Sequence, residues 1–197
     1  NTEELYAIYR MMRTVGRVAF PIFCFLLVEG FMHTRNVGKY IGRMAVFVIL
    51  TEIPYDLAFS ARILTWEDQS VMLTLLIGLL TMWGCSLIEK RWKENYLGQW
   101  IGFAICLGLG MWLAYLLKTD YAHKGILSIM AMYFFRKEKN LQVLSGALSF
   151  CWEPWALLAF PLIYLYNGQR GMKMKYFFYA FYPLHLLLFY LIAMMMG

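Results

Sequence analysis

RVAFPIFCFLLVEGFMHTR, residues Arg17–Arg35, is long and apolar enough to form the core of a membrane-spanning helix, yet it carries Glu29 and His33 and is bracketed by Arg17 and Arg35. A charged side chain at mid-depth in lipid costs at least ~2.5 kcal/mol on insertion scales, so such residues face a partner or a cavity. Glu29 and His33 are separated by one helical turn, so they share a face about 6 Å apart along the axis. Pro21 removes one backbone donor near the start of the span and can loosen it. A carboxylate, an imidazole and a guanidinium gathered at one end of a span make the wall of a site.

The rest of the composition agrees with a membrane setting. The chain has 197 residues, is 61% hydrophobic and only 15% charged. A soluble domain is nearer half apolar and about a quarter charged. The net charge of +6 does not point to nucleic acid, because the basic residues punctuate apolar spans and form no stripe. Cys24, Cys85, Cys106 and Cys151 fall in or beside apolar runs without CxxC or metal-ligand spacing, so small hydrophobes are expected there and neither disulfides nor a bound metal. No cleavable signal peptide is visible.

Outward from the first span, Asn1–Gly16 reads as an amphipathic lead-in with Arg10, Arg13 and Arg17 at helical spacing, and His33–Arg43 as a basic turn. Ile41–Ser60 is a second span, carrying Glu52 and Asp56. Val71–Ile88 and Leu97–Leu117 are further spans, the latter opening with Gly98 and Gly102 at the small-residue spacing that lets helices approach closely. Gly125–Phe135, Leu141–Trp152 and Trp155–Tyr166 are each shorter than the roughly 20 residues a straight span needs. Tyr176–Met196 is a full-length helix containing Pro183 and His185. The expectation is a single all-α domain over 1–197, a polytopic transmembrane helical bundle of seven or eight segments.

Loop charge favours eight. Four alternate loops each hold three basic residues (Arg35, Lys39, Arg43; Lys90, Arg91, Lys93; Arg136, Lys137, Lys139; Arg170, Lys173, Lys175), two thirds of the 18 Lys and Arg in the chain. By the positive-inside rule this side is cytoplasmic. A single span over Leu141–Tyr166 would move the YNGQRG loop to the other side and break the pattern, so the chain is expected to enter and leave through the Trp152–Trp155 turn.

On this topology His33 and Arg35 lie at the cytoplasmic end of the first span, with Glu29 one turn deeper. Glu52 is roughly 16 Å into the second span, Asp56 one turn further out on the same face, and His185 near mid-membrane. Together they mark a polar track across the bilayer. Each also has a structural reading: Arg17 and Arg35 as interfacial anchors that snorkel to headgroups, Glu52 and Asp56 as partners of arginines holding the bundle, His33 as an interfacial histidine. Glu153, between Trp152 and Pro154, reads as an exposed turn residue. In YNGQRGMKMKY, Asn167-Gly168 and Gly171 suit a tight turn, while Arg170, Lys173 and Lys175 supply cations of the kind that hold phosphate; the alternative is an orientation signal only.

Four blocks taken together resemble the TraX family, the membrane acetylases of conjugative pilin: GRVAFPIFCFLLVEGFMHTRN (Gly16–Asn36), EIPYDLAFS (Glu52–Ser60), YNGQRG (Tyr166–Gly171) and KYFFYAFYPLHLLLFYLI (Lys175–Ile192). They occur in the family's order over nearly the whole chain. The family is similar in turn to the wider transmembrane acyltransferases. The resemblance implies a multi-pass protein of a bacterial-type inner membrane that takes an acyl group from cytoplasmic acetyl-CoA. The implied acceptor is an amine or hydroxyl on a peptide, pilin-like or glycan substrate. Carried over, the motif positions are Arg17, Glu29, His33, Arg35, Glu52, Asp56, Asn167, Arg170, Tyr182 and His185. Family members commonly carry an earlier hydrophobic segment with an Asp-His pair. The sequence here starts after it, at Asn1 and without methionine, so the expectation is either a processed or truncated product or a chain in which that segment is absent.

An N-terminal amine has an unperturbed pKa near ~8 and needs a base at neutral pH, a task that suits histidine. His33, oriented by Glu29, or His185 would serve. Arg35, Arg170, Lys173 and Lys175 would hold the CoA phosphates, and Asn167 or Arg17 would polarise the thioester oxygen. Arg17, Glu52, Asp56 and Tyr182 would line the acceptor path. Buried Glu, Asp and His on several helices also describe a proton-coupled transporter, and an accessory membrane protein is a third reading.

Overall fold

A computed structural model describes residues 2–60 and 69–169 and the single positions 181, 184, 187 and 188, with side chains from residue 16 onward in the first helix and up to 56 in the second. Arg170, Lys173, Lys175, Tyr182 and His185, most of the Ala61–Ser70 loop and the Tyr176–Met196 span lie outside the described residues. Among those described, the order is α1 (Thr2–His33), α2 (Val37–Ser60), α3 (Val71–Arg91), α4 (Tyr96–Leu116), α5 (Ala122–Phe134), α6 (Lys139–Ser149), a 3-10 turn (Pro154–Leu158) and α7 (Ala159–Leu165). The one strand-like feature among them is an isolated parallel bridge, Gln69 with Thr119. The amphipathic lead-in and the first span are one helix, which runs on through Pro21.

Two compact units emerge. The first comprises residues 1–34 and 127–169, the second 35–126 and 170–197. In the second, α2, α3 and α4 follow one another as packed antiparallel neighbours. Asn36 caps α2 by accepting from Lys39 N at 2.9 Å, and Asn95 caps α4 by accepting from Gly98 N at 2.9 Å. Between α3 and α4 the seam is built of small residues. A Cβ at Gly102 would stand 2.9 Å from Ile88, one at Gly84 would stand 2.7 Å from Cys106 Sγ, and one at Gly110 would overlap Thr81. Gly98, Gly110 and Ala114 are accordingly buried, while Trp100, Ile105, Leu109 and Trp112 face outward. The spacing read at Gly98 and Gly102 is thus helix packing, and it continues down the whole of α4.

This seam carries a direct expectation. Gly110→Leu is expected to wedge α3 from α4 and cost about 1–3 kcal/mol, the usual range for overpacking. Gly108→Leu is the control, because nothing stands within 4 Å of its would-be Cβ. Thermal unfolding in detergent should separate the two; equal midpoints would refute the tight seam.

In the first unit α1 packs against the 3-10 turn and α7, and α6 packs against α7. Aromatic edges register α1 along its length: Phe20 on Phe150 at 5.7 Å, Phe25 on Tyr166 at 5.4 Å and Phe31 on Tyr133 at 5.7 Å, all near-perpendicular. Lys139 Nζ, at the start of α6, donates to the Tyr166 carbonyl, just past the end of α7, at 2.5 Å. The two arms therefore return to the same level, and Leu141–Tyr166 is a hairpin turning at Cys151–Glu153.

Each arm is short. The 11 residues of α6 rise about 16 Å against the ~30 Å of a hydrocarbon core. Three described helices are long and apolar enough to cross a membrane: Gly16–His33, Val71–Arg91 and Tyr96–Leu116. The expected count of seven or eight spans is not confirmed: among the described residues α5, α6 and α7 are interrupted by turns, and α2 carries Lys39, Arg43, Glu52 and Asp56 within its 24 residues.

Candidate functional site

His33 is the last residue of α1. Its Nδ1 lies 2.9 Å from the main-chain carbonyl of Glu29 and 3.8 Å from Glu29 Oε2. A carbonyl oxygen only accepts, so Nδ1–H makes this contact and, in the neutral ring, Nε2 is the nitrogen left as acceptor. What orients the ring is thus the backbone of Glu29, with the carboxylate a second, looser neighbour. The His33 side chain is 72% exposed and that of Glu29 is 20% exposed, so Nε2 is open to an incoming group.

Arg17 sits at the other end of the same span, about 24 Å from His33 along the axis. Its Nη1 donates to Glu153 Oε1 at 2.8 Å. Glu153 is therefore not the exposed turn residue its flanking Trp152 and Pro154 suggested. Its side chain is 13% exposed, and it pins the tip of the α6–α7 hairpin to α1. Arg17 is thus engaged in an ion pair at the end of α1 remote from His33.

Asn167 builds a turn. Its Oδ1 accepts from Gln169 N at 3.0 Å, and Gly168 follows at φ +74°, a conformation glycine adopts without strain. Lys139, which loop composition marked only as an orientation signal, clamps this turn through the Tyr166 carbonyl and stands 5.3 Å over the Tyr164 ring.

In the second unit Arg35 is exposed in the bend between α1 and α2. Asp56 is 1% exposed. Glu52 Oε2 accepts from Ser70 Oγ at 2.9 Å, whereas Glu52 Oε1 is buried and finds no hydrogen-bond partner among the described residues. Ser70 occupies the position preceding α3, where serine ordinarily caps the helix, but its hydroxyl is committed to Glu52.

Against known proteins, the family model described as TraX protein matches residues 4–193. The chain belongs to the TraX family. It is also similar, at 28% identity over 199 residues, to the probable fimbrial assembly protein FimC, serogroup H1, of Dichelobacter nodosus, with 91% of this chain and 82% of that protein covered. No solved structure matches the chain significantly. Within this TraX-family chain, then, the first block contains the His33–Glu29 pair and Arg17, the second supplies Glu52 and Asp56, and the third is the Asn167–Gly168 turn. Ser70, Thr74, Lys139 and Glu153 are the polar residues that motif reading missed. For Glu153 a signal existed: an acidic residue at the tip of two apolar arms requires a cation.

Proposed function

We propose that the protein is a multi-pass acyltransferase of the bacterial inner membrane, carrying acetyl from acetyl-CoA to an amine on a membrane-presented peptide, a pilin or fimbrial subunit by family precedent. The observation that carries the reading is the contact of His33 Nδ1 with the Glu29 carbonyl, which in the neutral ring leaves Nε2 as acceptor, at the end of an apolar span in a chain of the TraX family. The amine nitrogen attacks the thioester carbonyl carbon, a C–N bond forms and the C–S bond breaks. His33 Nε2 takes the amine proton and returns it to the departing thiolate. Arg35 and the basic residues after the Asn167–Gly168 turn bind the donor phosphates on the cytoplasmic side, where loop charge places them.

Transfer of isotope-labelled acetyl from acetyl-CoA to a peptide by purified protein in lipid tests this. Arg35→Ala and Arg170→Ala are each expected to raise the apparent donor KM about tenfold with less effect on the saturated rate, the signature of lost donor binding. Unchanged kinetics in both variants would reduce these loops to orientation signals, and no labelled product would reject the transferase. A proton-coupled carrier is the second reading, favoured by the burial of Asp56; proton-coupled flux in liposomes without acyl transfer would select it.

A further inference from the structure

The turn between α3 and α4 holds a cavity that the transfer step leaves unused. Its volume is about 420 Å³, and Lys90, Arg91, Trp92, Lys93, Glu94 and Asn95 line it. Lys90, Arg91 and Lys93 are exposed, and the three cations outweigh the single carboxylate of Glu94. Among the described residues these three basic side chains make no ion pair or hydrogen bond. The basic loop between α5 and α6 differs: there Arg136 donates to the Tyr133 carbonyl at 3.0 Å, and Lys139 is committed to that of Tyr166. Lys90 and Arg91 suit the negative end of α3, but Lys93 lies beyond the helix and has no such role.

The cavity has a fixed frame. Trp92 N donates to the Ile88 carbonyl at 3.0 Å, Asn95 N to the Trp92 carbonyl at 3.2 Å, and Asn95 Oδ1 accepts from Gly98 N at 2.9 Å. The Trp92 ring lies against Gly98, where a Cβ would overlap it. Its depth is set too. Both α3 and α4 are long and apolar enough to cross a membrane, so the short turn joining them emerges at the headgroup level. Exposed Trp92, Tyr96 and Trp100 are of the residue types that occupy that level. From there Leu97, Ile101, Ile105 and Leu109 recur every fourth residue along α4, each more than half exposed. They make an apolar track about 18 Å long that starts at the basic turn.

We propose that the turn at Lys90–Asn95 binds the phosphodiester of an anionic phospholipid, whose acyl chains lie on the Leu97–Leu109 track. The phosphate oxygens accept from cationic side chains, and a basic pocket at the membrane surface is a general means of holding acidic headgroups. A zwitterionic lipid offers the same phosphate but brings an ammonium group against Lys90, Arg91 and Lys93, so the site selects for net negative charge. This needs only the membrane setting of the chain and stands independently of acyl transfer.

The test is lipid binding by the full chain in detergent, followed by native mass spectrometry, with phosphatidylglycerol and phosphatidylcholine of identical acyl chains. A basic residue near a headgroup is worth about fivefold, so phosphatidylglycerol should bind about twentyfold or more tighter. Arg91→Gln/Lys93→Gln should lower its affinity about twentyfold and leave phosphatidylcholine within about twofold. Lys39→Gln/Arg43→Gln removes the same charge from another basic stretch and should leave the preference intact. All four positions are exposed, so both variants keep the fold. CoA, added as a soluble phosphate-bearing competitor, should not displace the lipid. Equal affinities for the two lipids in the wild type overturn the site, as does an equal loss in both double variants, which would make any basic loop sufficient. Displacement by CoA would give the cavity to a soluble phosphate and overturn the lipid assignment.

Discussion

His33→Ala is expected to lower acetyl transfer by a factor of about 10²–10⁴, the usual contribution of a positioned general base, while donor affinity stays within about twofold. The expectation follows from atoms. Nδ1 is held at 2.9 Å by the Glu29 carbonyl, so the neutral ring presents Nε2, and the half-buried Glu29 carboxylate is the other proton acceptor near that end of α1. Because the main chain orients the ring, Glu29→Gln should cost less than about tenfold, far less than loss of the imidazole. His33→Asn restores size and one acceptor but not proton transfer, so it should behave like alanine. Single-turnover measurements with saturating labelled acetyl-CoA check this directly. Near-normal turnover in His33→Ala would move the base to His185, whose span lies outside the described residues.

What could be read from sequence, and what could not, divides by sequence separation. The first span, the Gly98–Gly102 packing and the Asn167–Gly168 turn are local patterns, set by 3.6-residue periodicity, by side-chain size and by tolerance of positive φ, so they were legible. The His33–Glu29 neighbourhood was legible for the same reason, although the identity of the orienting atom was not, since the backbone carbonyl is common to every residue. The shortness of both arms at 141–166 was legible from their apolar length, but the level to which they return was not, since it is fixed by the closure of Lys139 on Tyr166 across 27 residues. Nor was the choice Ser70 makes. Serine before an apolar run reads as a helix cap, and only the carboxylate of Glu52 arriving from 18 residues earlier redirects the hydroxyl. Tertiary partners of this kind are invisible to spacing.

The pair most distant in sequence carries the largest expected effect on stability. Arg17 and Glu153 are 136 residues apart, and the bond between them fixes the hairpin tip against α1. Removing one partner of a fully buried pair costs about 3–5 kcal/mol, because the other charge is left without compensation. Arg17 is 34% exposed, so water screens part of that loss and about 2 kcal/mol is the better figure for Glu153→Ala. For a chain of this length that corresponds to a melting point lowered by about 4–8 °C. Arg17→Ala should cost somewhat more, since the Glu153 carboxylate, at 13% exposure, is the less hydrated partner. The double variant Arg17→Ala/Glu153→Ala should then be more stable than the sum of the two losses predicts, because neither charge is stranded. Donor KM should not move in any of the three, since the pair lies about 24 Å along α1 from His33. Additive losses in the cycle would mean that the two residues act independently. A shift in donor KM would tie Arg17 to donor binding instead.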